Sequence, residues 1–225
     1  MSLFVHGVVR ASHRLPDDSR FRSVALEDLA VVVSDRVESR ALTDQEATAH
    51  LAGLCALLPG GPVLPLRIGT TAVDEAAARA AVLAFSVPVL RRHLDELDGL
   101  AELHVRLVFD EDTALNAVYQ EGAYLGADLA FTIARGERIA RDVVVWRRKR
   151  ADVLLAPVEA RAVALLDAGE PTEELRAFLV PLDQVEAVRA AVAALEGVTA
   201  TCTGPLPAFH FLDLSPSQPA SRWGW

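Results

Sequence analysis

The chain has 225 residues, 52% hydrophobic and 24% charged, with a formal net charge of −9. That length suffices for two ordinary domains, and the acidic balance argues against a dedicated nucleic-acid binder, since phosphate backbones are held through clustered Lys and Arg. No window reaches the roughly 18 continuous apolar residues of a membrane span, Met1 opens a strand-like run and not a basic leader, and Cys55 and Cys202 lie far apart without metal-ligand spacing, so a cytoplasmic protein with reduced core thiols is expected.

Leu3 to Arg10 and Leu29 to Val33 read as buried strands, with Ser12 to Ser19 as a loop between them. Thr43-Asp44-Gln45-Glu46 is a capping box, behind which Ala47, Leu51, Leu54, Cys55 and Leu58 recur at helical spacing until Pro59-Gly60-Gly61 ends the helix. The extended segment Pro62 to Thr71 follows. Its Arg67, between Leu66 and Ile68, is expected to be buried, and a buried guanidinium needs a carboxylate or several carbonyls. An internal structural partner is the reading adopted, with an external ligand as the alternative.

Asp74 and Glu75 open a helix whose stripe, Ala76, Ala80, Leu83, Val87, Leu90, Leu94 and Leu97, continues through Pro88, so one kinked helix is predicted up to Asp98-Gly99. Leu103, Val105, Leu107 and Phe109 alternate with Glu102, His104, Arg106 and Val108 as a strand with one buried face. Asp110-Glu111-Asp112-Thr113 then starts a helix. Glu137 to Ala168 reads as mostly helical, bent at Pro157, with Ala151, Leu154, Leu155, Val158, Ala162, Leu165 and Leu166 as its stripe. Seven basic residues between Arg135 and Arg150 against two acidic ones read as a solvated helix face. Leu175, Ala177 and Leu179 mark a strand, Asp183 to Glu196 a helix burying Val185, Val188, Val192 and Leu195, and Val198 to Thr203 the last strand.

The fold class is therefore α+β in two domains. Residues 1–98 form a smaller α+β unit and residues 99–214 most of a ferredoxin-like βαββαβ arrangement. Residues 215–225 have the composition of a flexible tail.

No catalytic constellation is found. The histidines His6, His13, His50, His93, His104 and His210 include no His-x-x-x-His pair and none beside a cysteine, so no metal site is assigned. Asp110, Glu111 and Asp112 with a histidine would suit a metal-assisted hydrolase, but acidic residues opening a helix ordinarily serve the cap and the dipole. Gly60-Gly61 and Gly122-Ala123-Tyr124-Leu125-Gly126 lack a phosphate-loop or dinucleotide fingerprint, and no serine sits in a nucleophile elbow. No cofactor and no enzymatic activity are expected.

Several strings in order carry a resemblance: Phe4-Val5-His6-Gly7-Val8-Val9, Ala30 to Ser34, His50 on the capped helix, Val63-Leu64-Pro65-Leu66-Arg67-Ile68-Gly69-Thr70, Gly122 with Tyr124-Leu125, Leu179-Val180-Pro181, and Thr203 to Phe211. Together they resemble the GvpF/GvpL family of gas vesicle accessory proteins, from residue 4 to about 214. The resemblance implies an accessory or minor structural protein of gas vesicle assembly, binding the major shell protein and other accessory proteins, with no reaction and no cofactor. The alternatives are a small-molecule-binding ferredoxin-like sensor and the hydrolase above. For such a partner, the run Phe209 to Leu214 offers a strand edge or an apolar patch, and Trp223 and Trp225 offer aromatic anchors; the competing reading packs Phe209 and Phe211 inward.

Overall fold

A computed structural model describes residues 2–17, 20–36, 43–121 and 133–214, without the side chains of residues 121 and 133–135. Of these, the residues up to Glu102 together with those from Pro205 onward form one compact unit, and Leu103–Gly204 form the other.

The first unit is built on strands β1 (Ser2–Arg10), β2 (Arg22–Leu26), β3 (Leu29–Arg36), β4 (Leu64–Pro65) and β5 (Thr71–Ala72), in the order β2-β3-β1-β4, with β5 also on β1. All these pairings are antiparallel. β1 and β3 are buried almost continuously, which requires cover on both faces of the sheet. β2, absent from the sequence reading, forms a hairpin with β3 through Glu27 at φ 56°. Only Val24 and Leu26 of β2 are buried, so it carries too short an alternation to stand out.

The predicted capping box starts α1 (Asp44–Leu57): Glu46 N donates to Thr43 Oγ1 at 3.2 Å and Thr43 N to Glu46 Oε2 at 2.8 Å. Leu54 and Leu57 of this helix join Val9, Phe21, Ala30, Val32 and Val63 in one core. The helix passes into a short 3-10 turn, Leu58–Gly60, where the Pro-Gly-Gly signal falls.

The single kinked helix is corrected to two, α2 (Glu75–Leu83) and α3 (Val87–Glu96). Pro88 sits in the first turn of α3, where its missing N–H costs nothing, and Ser86 ahead of it is extended at φ −72°, ψ 119°. The break shifts the phase. Leu90, Leu94 and Leu97 are buried as expected, but α2 buries Ala78 and Val82 and exposes Ala76, Ala80 and Leu83.

The second unit holds a four-stranded sheet in the order β7-β8-β6-β9, made from β6 (Leu100–Val108), β7 (Ala162–Leu166), β8 (Glu173–Pro181) and β9 (Thr199–Leu206). The helices are α4 (Glu111–Glu121), α5 (Ile133–Leu155) and α6 (Val185–Ala193). Leu103, Val105, Leu107 and Phe109 form the core with Phe178, Val180, Ala151, Leu155, Val185, Val188 and Val192.

Two expectations are corrected here. The long helix stops at Leu155, and Ala162–Leu166 is a strand paired antiparallel with β8; its half-exposed alternation imitates a helical stripe. The strand marked by Leu175, Ala177 and Leu179 is β8, in which Ala177 and Leu179 are buried while Phe178 and Val180 enter the main core. The basic face of α5 is not wholly solvated, since Arg147 is 8% exposed. Its Nε lies 3.0 Å from Glu174 Oε2 and its Nη1 donates to the carbonyls of Glu170 and Pro171, while Arg176 holds the other Glu174 oxygen at 2.9 Å. These bonds answer the desolvation of three buried charges.

Both cysteines are free and half-buried, and burial pushes each thiol up. Among the described residues, no helix is long and apolar enough to cross a membrane.

Candidate functional site

A β-bulge organises the first unit's interior. Opposite β3, Val5 pairs with Val33 and Gly7 with Val32, so His6 is the extra residue of β1. Val5, His6 and Gly7 are consequently all buried. The His6 carbonyl accepts from Leu66 N at 2.9 Å, and the Thr70 carbonyl accepts from Val5 N at 2.9 Å, which stitches the central segment to β1. A Cβ on Gly7 would stand 2.6 Å from the Leu64 carbonyl oxygen, so the approach of the two backbones requires glycine there.

The His6 ring, 1% exposed, meets two partners distant in sequence. Its Nδ1 lies 2.8 Å from His50 Nδ1, and its Nε2 lies 2.7 Å from Ser34 Oγ. Phe21 packs edge-on against it at 4.7 Å. Burial first, then the neighbouring His50 and Arg20 charges, lower the His6 pKa from 6.5 to about 3. Burial and Arg20 lower that of His50 as well, so both rings are neutral near pH 7.

His50 also lines a groove of about 510 Å³. Ala47, Thr48 and Leu51 of α1 border it on one side and Pro65 to Ile68 on the other, with Phe209 completing the lining. The groove is apolar and open: Leu51 is 40% exposed, Ile68 41% and Phe209 36%. Phe209 is carried by a 3-10 turn, Phe209–Phe211. A fully buried Glu102 fixes that turn, accepting the His210 backbone N–H at 2.9 Å and facing His210 Nδ1 at 2.6 Å.

The expected burial of Arg67 is overturned, because its side chain is exposed. Arg67 to Thr70 form a turn between β4 and β5, in which the Arg67 carbonyl accepts from Thr70 N at 3.1 Å and Thr70 Oγ1 at 2.6 Å, with Gly69 at φ 83°. The turn breaks the extended alternation and rotates Arg67 and Ile68 outward. Among the described residues the guanidinium makes no hydrogen bond or ion pair.

Two sequence-predicted residues, Arg67 and Phe209, thus meet in one groove. The reading in which Phe209 packs inward is corrected by its exposure, whereas Phe211 is half-buried. Trp223, Trp225 and the Gly122 to Gly126 stretch lie outside the described residues. Leu51 and Ile68 were missed as site residues because apolar side chains at those spacings read as core. Asp110 caps α4, its Oδ1 accepting from Thr113 N at 2.8 Å and from Thr113 Oγ1 at 2.7 Å, as its position at the helix start suggested. In the second unit, a smaller cavity of about 290 Å³ is lined by Leu115, Tyr119, Ile139 and Val143 among others.

Comparison with known proteins places these features in a lineage. Residues 2–213 match the family described as gas vesicle synthesis protein GvpL/GvpF. Gas vesicle protein F of Streptomyces sp. (strain CB03234) is 28% identical over 241 aligned residues, which cover 95% of this chain and 100% of that protein. The crystal structure of GvpF from Microcystis aeruginosa superposes with a TM-score of 0.76, covering 95% of this chain and 99% of the other. That of GvpF from Anabaena sp. PCC7120 gives 0.79, covering 95% and 97%. Both are 17% identical, and the likeness establishes the mixed helix and sheet fold.

Proposed function

This chain belongs to the gas vesicle synthesis protein GvpL/GvpF family and has its part in gas vesicle formation; from that premise we propose that it is a cytoplasmic accessory protein that binds the major shell protein and other assembly factors. The role is binding, not catalysis. We read its second unit as ferredoxin-like, which the strand order β7-β8-β6-β9 with helices between β6 and β7 and between β8 and β9 supports.

The observation that carries the proposal is the apolar groove of the first unit. Leu51, Ile68 and Phe209 expose hydrophobic surface side by side, beyond what isolated surface residues account for, and such surface suits an apolar protein segment. Co-purification tests it. The tagged full chain is expected to retain the shell protein, and Leu51→Ser with Ile68→Ser to lose it while keeping the melting curve of the parent. Normal vesicles in a deletion strain, with no shell or accessory protein retained, would overturn the assembly role.

A further inference from the structure

The four-stranded sheet of the second unit ends at β7, which among the described residues pairs only with β8. Its other edge has no strand to accept its backbone bonds. Sheet edges are ordinarily protected by polar or charged residues or by proline, and β9 at the opposite end follows that rule, exposing Thr199, Thr201 and Thr203 and carrying Pro205. β7 has no such protection. Every residue of Ala162–Leu166 is aliphatic, and Val163 and Leu165 are 51% and 54% exposed. Exposure alternates from Arg161 through Asp167, so Arg161, Val163, Leu165 and Asp167 share one face of the sheet.

That row is its own complement about Ala164. Arg161 and Asp167 each lie three residues from Ala164, and Val163 and Leu165 one residue from it. When two copies of β7 run antiparallel about a two-fold at Ala164, Arg161 stands opposite Asp167 of the second copy and Val163 opposite Leu165, each pair occurring twice. Within one chain the two charges cannot meet, because the extended strand holds them about 20 Å apart. Among the described residues the Arg161 side chain makes no hydrogen bond or ion pair, and Asp167 accepts only the Gly169 backbone N–H, through Oδ1 at 3.1 Å.

We infer that the protein self-associates through β7, two copies joining their second-unit sheets edge to edge about Ala164. The inference goes beyond the assembly reading, which rests on residues of the first unit. Val163 and Leu165 of the two copies cover each other, and the Arg161–Asp167 pairs at both ends fix the register. Such an isologous contact closes on itself. Each β7 edge is used up, and the threonine edge of β9 offers no apolar strand on which the sheet could grow, so the product is a dimer and not a filament. A strand of this length makes a small contact, which gives a weak, concentration-dependent dimer.

The test is sedimentation of the full chain over a concentration series. The parent is expected to pass from monomer to dimer with a Kd on the order of 10 µM. Val163→Lys, at a position exposed in the single chain, is expected to keep the melting curve of the parent in dilute solution and to sediment as a monomer throughout. Arg161→Asp alone, or Asp167→Arg alone, sets like charges opposite each other and should raise the Kd at least about tenfold. The two reversals combined restore opposite charges and should return it to within about threefold of the parent. A parent that stays monomeric, or a dimer that Val163→Lys leaves intact, overturns the inference; so does a double variant no tighter than the single ones, since the register about Ala164 then fails. A monomeric parent whose capture of the shell protein is lost in Val163→Lys would give this edge to another protein, sinking the inference and leaving the assembly reading standing. A dimer with the charge-swap rescue and no capture of any gas vesicle protein would do the reverse.

Discussion

Acid should loosen the first unit through His6, and the amount can be worked out. In the unfolded chain the imidazole titrates at its ordinary 6.5, while in the fold burial, His50 and Arg20 hold it at about 3. The folded pKa is depressed, so below 6.5 the unfolded state binds the extra proton and stability falls as pH falls, down to the folded pKa. From about pH 7 to about pH 4.5 this single group removes roughly 2.5 kcal/mol, a large fraction of a small domain's stability. Carboxylates titrate in the same range, so the comparison must be with a variant that lacks only this proton. His6→Gln keeps a donor and an acceptor for Ser34 and His50 but does not ionise. Urea unfolding, followed by hydrogen exchange of peptides spanning Ser2–Arg10 and Leu29–Arg36, should show the parent losing about 1 M more in midpoint than the variant across that pH interval. Peptides from Glu173–Pro181 in the second unit serve as the control. Equal pH dependence in parent and variant would refute the assignment of a buried neutral His6.

Three further outcomes follow from packing and charge. Arg67→Leu should change the urea midpoint by no more than about 0.5 kcal/mol equivalent, since the residue is exposed and, among the described residues, without a partner, and a loss of several kcal/mol would restore the buried clamp. Gly7→Ala should cost about 2 to 3 kcal/mol in denaturant unfolding, because the new Cβ meets backbone, the Leu64 carbonyl oxygen at 2.6 Å, which cannot rotate aside. Glu174→Leu should destabilise the second unit by about 3 kcal/mol, visible as a lower melting temperature, since it strands Arg147 and Arg176 together. Retained carbonyl contacts for Arg147 and the Asp152 pairing of Arg176 place this at the lower end of the range for broken buried ion pairs.

The sequence alone determined those features whose causes lie within a few residues. Thr43 and Glu46 are three apart and make each other's cap bonds, Asp110 caps Thr113 over the same distance, and the apolar runs of β1 and β3 and the strict alternation from Leu103 to Phe109 announce strands buried among other elements. The ordered strings around Val63 to Thr70 also carried the family, because shared ancestry preserves order and spacing even where each string is common. What the tertiary structure decided was every contact between distant residues. Nothing near Pro88 says whether a helix bends or restarts, and nothing near Ala162 separates a half-buried edge strand from a helical stripe, since both present partly exposed apolar residues at mixed spacing. Glu102 looked like the solvent side of its strand, yet it is fully buried because a turn 108 residues later brings His210 to its carboxylate. Arg67 looked buried because its neighbours are apolar, but the turn at Gly69 sets the direction of its side chain. His6 looked like an interruption in a strand, and it became the centre of the unit only through a bulge and partners 28 and 44 residues away. A residue's backbone preference is set by its own side chain and near neighbours, whereas the partner that neutralises, buries or exposes that side chain is chosen by the packing of the whole chain.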